Sequence, residues 1–305
     1  MTAVFAPLVF IVFIGALLRL RNPQMEDVRR AMNRLVLVVF LPALVFRTVM
    51  ETNLDRLFYE IPLAAATGIV GCLLVSLMVF HFLPIPGRTK GAMVLGASFG
   101  NVTYLGLPVL LETFPNASEQ VSEVSVLFEV TKSSINLTVG AMIAIHYGSR
   151  EAITFRKTAF EAFKLPPIWG LFLAILFKVN GIPCPAFLQE AMHILASAVS
   201  GLMVLSLGMA FHFRGSRLFW LVIPVSVIKL ILSPLLMARV VSWYDIAGVY
   251  ADAAILEAAM PSQLLSFVIS SRFELDEETL AVVILLDMLL AFLSIPLIGK
   301  YMVPG

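Results

Sequence analysis

Charge is scarce in this chain, and so is nearly everything that marks a water-soluble enzyme. Charged residues make up 13% of it, against roughly a quarter in ordinary soluble domains. Hydrophobic residues make up 60%, and the mean hydropathy is +0.95. At 305 residues such a composition cannot build a single water-soluble core. It predicts an all-α integral membrane protein with the lipid bilayer as its surroundings. The net charge of +1 gives nucleic acid nothing to bind and supplies no polybasic tail. Two cysteines, Cys72 and Cys184, define neither a disulfide framework nor a metal set. The four histidines are scattered, and no GxSxG, HExxH, CxxC or nucleotide-binding loop occurs. The chain is therefore expected to be no enzyme and to hold no metal or cofactor beyond a coupling ion. Its first residues, "MTAVFAPLVFIVFIGALLRLRN", have no basic head before the apolar run; the arginines follow it. That order is the reverse of a secretory signal and reads as a retained first span.

What is abundant is apolar runs of bilayer length. A helix needs about 20 mostly apolar residues to cross the hydrocarbon. Ten such segments fit, near 2–20, 32–50, 61–83, 91–112, 122–147, 164–181, 188–211, 217–240, 247–270 and 279–301. Fourteen of the 21 Lys and Arg fall in the loops after the odd-numbered spans. The positive-inside rule then puts both termini outside the cell membrane, the inner membrane for a bacterial protein. One loop on the basic side, "SRFELDEET", is acidic.

Two spans carry breaks. Span four contains "GASFGNVTYLGLPVLLE" and span nine "AILEAAMPSQLLSFVIS". Pro108 and Pro261 lie 153 residues apart, half the chain, in corresponding members of two five-span halves. Five is odd, so the halves enter the membrane from opposite sides. The reading is two inverted repeats, 1–147 and 164–305, joined by a cytoplasmic linker over 148–163. Interrupted spans at matching positions are the strongest sequence pointer to a carrier's midplane site. Behind each proline a new half-helix is expected to begin, offering unpaired amides to an anion: Val109 and its successors after Pro108, Ser262 and Gln263 after Pro261. The carbonyls of Tyr104 and Glu257 would be released toward a cation. Pro42, Pro224, Pro234 and Pro296 read as ordinary kinks.

Five charges fall inside spans: Glu129, Lys132, Lys229, Glu257 and Asp287. Each costs about 2.5–3.5 kcal/mol at a helix centre even on the lenient insertion scale, which makes it a functional candidate. Ser125, Glu129, Lys132 and Asn136 form one polar stripe on span five. Glu129–Lys132 and Lys229–Asp287 read equally well as structural pairs or as transport residues. With three acids to two bases, one acid is left to hold a proton or recruit a cation. Glu257, four residues before Pro261, is the candidate.

These residues resemble the auxin efflux carrier family, within the superfamily of bile-acid sodium symporters. The matching stretches are "NRLVLVVFLPALVF", "GNVTYLGLP", "IKLILSPLL", "EAAMPSQ" and "LAVVILLDMLLAFLSIPLI". The resemblance implies ten transmembrane helices as two inverted five-helix repeats, with broken helices 4 and 9 crossing at their prolines. It implies a secondary transporter of small organic anions by alternating access: auxin in plants, dicarboxylates or monocarboxylates such as malate and malonate in bacteria. The short loop between the halves favours the bacterial type. By the same resemblance Asn101 serves ion or substrate, and "LEAAMPSQ" looks like the glutamate-bearing crossover helix that binds sodium in the symporters. Asn101, Tyr104, Pro108, Val109, Lys132, Asn136, Pro261, Ser262 and Gln263 are thus the expected substrate contacts. Glu257, Glu129, Asp287 and Asn101 are the expected ion-coupling set, with Na+ or H+ as the ion. Uniport, a sensor that keeps the carrier fold, an intramembrane enzyme using Glu129 and Asp287, and a homodimer stay open.

Overall fold

Hydrocarbon offers a backbone no water to bond with, so a spanning chain must satisfy its own amides. The protein was studied as a computed structural model that describes residues 2–22, 24–51, 57–148, 164–210 and 219–303. Among the described residues the chain is helical, and its one β contact is an isolated antiparallel bridge between Gly100 and Ser262. Arg56, Arg150, Arg156, Lys157, Arg214, Arg217, His212 and nearly all of the expected linker lie outside the described residues.

In chain order the helices are α1 (Thr2–Arg21), α2 (25–51), α3 (Leu57–Phe82), α4 (Gly87–Ser98), α5 (Val102–Thr113) and α6 (118–148). They continue with α7 (Pro166–Val179), α8 (Ala186–Ala210), α9 (Val222–Trp243), α10 (Val249–Ala258), α11 (Leu264–Arg272) and α12 (Glu277–Met302). Within the described residues, segments of α2, α3, α8, α9 and α12 are long and apolar enough to cross a membrane; α5 and α7 are shorter apolar helices. Large apolar side chains such as Phe13, Leu74, Met78, Phe187, Ile223 and Leu293 face outward, as lipid contact requires.

Proline has two different effects here. A wide π-type turn stands two residues ahead of three of the prolines: Val36–Phe40 before Pro42, Val102–Gly106 before Pro108, and Val227–Leu232 before Pro234. The proline ring crowds the carbonyl four residues back and donates no hydrogen bond. Widening the preceding turn moves that carbonyl aside and lets the helix run on. Pro108 therefore shares the fate of Pro42 and Pro234. The expectation that it snaps span four is corrected: the interruption is Phe99–Asn101, where φ/ψ at Phe99 are −115°/124°. Among the prolines that fall within spans in the described residues, Pro261 is the one inside a true gap, between α10 and α11. The 153-residue spacing of Pro108 and Pro261 consequently pairs unlike features, and the structural partner of Pro261 is the stretch around Gly100.

The helices sort into two groups. In the first, α1 packs on α8 and α2 packs on α7 and α8. Gly15 and Gly208 allow the α1–α8 approach, since a Cβ on either would run into the other helix's backbone. In the second group α3 packs against α4, α6 and α9, α10 against α6 and α9, and α12 against α4 and α9. Contacts between the groups run from α2 to α6 and α11 and from α8 to α11 and α12.

At one end, residues from the expected basic loops gather. Arg30, Arg34, Arg88, Lys164 and Arg272 line one surface pocket together with Glu274 and Glu277. The acidic "SRFELDEET" loop has a local explanation. Asp276 caps α12 by accepting from the Thr279 amide at 3.1 Å and takes a bond from Thr89 at 2.7 Å. Glu277 meets Arg29 at 2.7 Å and Glu274 meets Arg88 at 3.2 Å. Arg29 is 2% exposed, holds Glu26 as well at 2.6 Å, and lies 5.5 Å from the Phe267 ring centre. It ties α2 in the first group to the second, by an ion pair to α12 and a ring contact to α11. Arg29→Gln is expected to lower the thermal stability of purified protein, because Glu277 would lose its buried guanidinium. Unchanged melting would show that the tie carries no net stability.

Candidate functional site

The two interruptions are stitched to each other. The Asn101 amide donates to the Pro261 carbonyl at 2.8 Å, and the Gln263 amide donates to the Phe99 carbonyl at 3.0 Å. Each gap thus supplies the other with the partners that lipid cannot give. Side chains close the crossing further: the Ser262 hydroxyl oxygen lies 2.9 Å from the Gly96 carbonyl, and Ser266 donates to the carbonyl of Leu95 at 3.3 Å.

The intramembrane charges converge on this crossing, and of the two pairs expected from sequence Glu129–Lys132 forms while Lys229–Asp287 does not. Lys229, on α9, makes no ion pair with Asp287 or Glu257 among the described residues. Its ammonium donates to the Ala258 carbonyl at 2.6 Å and to Ser233 Oγ at 3.1 Å. Asp287, on α12, accepts the Ser262 amide at 2.7 Å and the Ser262 hydroxyl at 2.8 Å. The base therefore sits at the C-terminal end of α10 and the acid at the start of α11, each against the opposite partial charge of a helix end. Glu129 and Lys132 do pair, at 2.7 Å, and both are nearly buried. Thr103 donates to the same Glu129 oxygen at 2.6 Å, and Ser133 to the other at 2.5 Å.

Glu257 stands apart. It is wholly buried, and neither carboxyl oxygen makes a well-formed hydrogen bond, with Ser125 among its polar neighbours. The carboxyl rests on Gly106 of α5, where a Cβ would fall 2.6 Å from Cδ and closer still to Oε2. Only glycine leaves that space.

A cavity of about 30 Å³ lies beside the crossing, between the two helix groups. That is room for about two waters. Asn101, Tyr104, Glu129, Lys132, Ser133 and Gln263 form its polar wall. Leu41, Leu44, Val45 and Val49 of α2 and Met203 of α8 form the apolar one. Tyr104 Oη and Gln263 Oε1 are buried without a partner. The amides of Val102, Thr103 and Tyr104 precede the first backbone bond of α5, from the Gly106 amide to the Asn101 carbonyl, so they have no partner within the helix.

Of the substrate contacts expected from sequence, Asn101, Tyr104, Lys132 and Gln263 line this cavity. Pro108 and Val109 do not, because α5 begins six residues earlier than its proline. Asn136 is fully buried with its amide against Gly140, away from the cavity. Pro261 and Ser262 are consumed by the stitch and by Asp287. Thr103, Ser133, Gly106 and the α2 wall escaped sequence reading. The i,i+4 spacing of Ser133 to Glu129 was a visible signal, whereas the others depend on contacts between distant segments.

Comparison with known proteins gives the family. The family model described as "Membrane transport protein" matches residues 1–299. An uncharacterized transporter of Methanothermobacter thermautotrophicus is 26% identical, over 94% of this chain and 93% of its own length. The uncharacterized transporter YfdV of Escherichia coli is 23% identical over 90% and 88%. A Rhizobium meliloti protein named "Putative malonate transporter" is 24% identical over 96% and 93%. With residues 1–299 of its 305 matched, the chain belongs to the membrane transport protein family, the auxin efflux carriers its motifs resemble.

Proposed function

We propose that the protein is a secondary transporter of a small carboxylate, working by alternating access, with the anion received at the start of α5. The observation that carries this is the cavity wall. An anion there would meet the ammonium of Lys132, the Asn101 side chain and the unpartnered Tyr104 hydroxyl, which can donate to it, beside the start of α5. A soluble anion needs donors in place of lost water, and this wall collects them beside an apolar face that suits a short carbon chain. The name of the Rhizobium relative makes malonate the first compound to test.

The packing supports two inverted repeats of five spans, 1–147 and 164–305. The contact of α1 with α8 is matched by that of α7 with α2, and α3–α4 by α9–α10. Under this reading the group α1, α2, α7 and α8 rocks against the stitched group, and the cavity between them widens toward each side in turn. Both termini then face outside, with the basic end in the cytoplasm. Coupling falls to Glu257, whose unsatisfied carboxyl in a sealed place is stable with a proton bound.

Labelled malonate counterflow in proteoliposomes tests the reading, with Na+ exchanged for choline and with an imposed pH gradient. Exchange of malonate or another short carboxylate is expected, accelerated by inward acidity and indifferent to Na+. Glu257→Gln should retain exchange and lose the response to the gradient. Binding without exchange would make the protein a sensor, and a chemically altered substrate would make it an enzyme; either result removes the transport reading. Exchange that requires Na+ would move coupling away from a proton at Glu257.

A further inference from the structure

We propose that Lys229 is the resident cation of the crossing. Its tethered ammonium fills the place a mobile monovalent cation would take, so the carrier needs no free cation there. The inference begins with the end of α10. A helix leaves its last carbonyls unpaired and carries partial negative charge at that end. Here the Ala258 carbonyl lies in the middle of the protein, where water cannot serve it. Two donors converge on it: Lys229 Nζ at 2.6 Å and Ser233 Oγ at 2.8 Å, and these two are themselves 3.1 Å apart. An ammonium among oxygens at such distances occupies the position of a bare monovalent ion.

Two further features fit a built cage. Gly100 opens the route to it, since a Cβ there would lie 2.9 Å from Lys229 Cε and 3.1 Å from Nζ. At the far end of the same gap, Asp287 fills the complementary role by taking the Ser262 amide. The gap in span nine is thus neutralised by the chain itself, positive at its entry and negative at its exit. Span four is treated differently. The Leu95 carbonyl near the end of α4 receives the neutral Ser266 hydroxyl, and among the described residues no side chain accepts an amide at the start of α5, where Glu129 takes the Thr103 hydroxyl and is itself paired by Lys132. This asymmetry deepens the proposed function and rests on it in one respect: the solute's negative charge belongs at α5, because at α11 Asp287 already holds the place.

Melting of purified protein tests the resident cation without reference to transport. Wild type is expected to melt at the same temperature in NaCl, LiCl and choline chloride. Lys229→Ala should melt lower in choline and recover in Na+ or methylammonium, which fit the vacated cage. A folded Lys229→Ala that ignores every small cation would overturn the proposal. So would a wild type that Na+ stabilises over choline, or one that retains labelled Na+ in equilibrium dialysis. Dialysis and melting of wild type keep the test decisive should the variant fail to fold. If the variant gains its cation response while no carboxylate is exchanged, the resident cation stands and the transport reading falls.

Discussion

Lys132→Met is expected to produce two separable losses, one of stability and one of transport. Its ammonium pairs with Glu129 at 2.7 Å in a nearly buried position. Removing one partner of such a pair leaves the other charge uncompensated, which costs about 3–5 kcal/mol. It also removes a side-chain cation from the cavity. A hydrogen bond to a charged group contributes about 1.5–3 kcal/mol, so carboxylate exchange should fall by about 10- to 100-fold. The double variant Lys132→Met/Glu129→Gln tells the two losses apart. With both charges gone, melting should return close to wild type, while exchange should stay low. Full recovery of exchange in the double variant would reduce Lys132 to a structural partner of Glu129.

Gly106→Ala should have the other large effect. The added methyl would land on the Glu257 carboxyl, and that side chain, fully buried, has no solvent into which to retreat. Overpacking of this kind costs about 1–3 kcal/mol. Here it also drives α5 away from α10, so exchange should be lost together with stability. Gly106→Ala/Glu257→Ala is expected to recover melting, because the space Glu257 vacates accepts the methyl. A Gly106→Ala protein that melts and exchanges like wild type would mean that the carboxyl lies elsewhere in solution.

Sequence reading went furthest where a physical cost is local. An apolar run of bilayer length announces a helix, and a charge inside one announces a reason for its presence. All five such residues surround the crossing. The interruption of spans four and nine was equally visible, since glycine, asparagine and proline within a span need an explanation. Its position was not. Proline looked like the cause at 108 because the sequence does not display a backbone's capacity to widen one turn and continue, as it also does before Pro42 and Pro234. One of the two expected charge pairs, Lys229–Asp287, failed for a related reason, while Glu129–Lys132 formed. Opposite signs at similar depth suggested a bond between Lys229 and Asp287, but each found a helix end instead, and helix ends are not residues that can be counted. Cross-chain partners such as Thr103 with Glu129, or Gly106 with Glu257, appear only once the helices are packed.

The small size of the cavity beside the crossing has an electrical consequence. A file of water long enough to bridge about 30 Å of hydrocarbon does not pass through a space that holds two molecules. The cavity by itself therefore offers ions no continuous path, and a voltage-clamped bilayer containing the protein is expected to record no unitary openings. Any current it carries would scale with turnover, rising and saturating with the concentration of its solute.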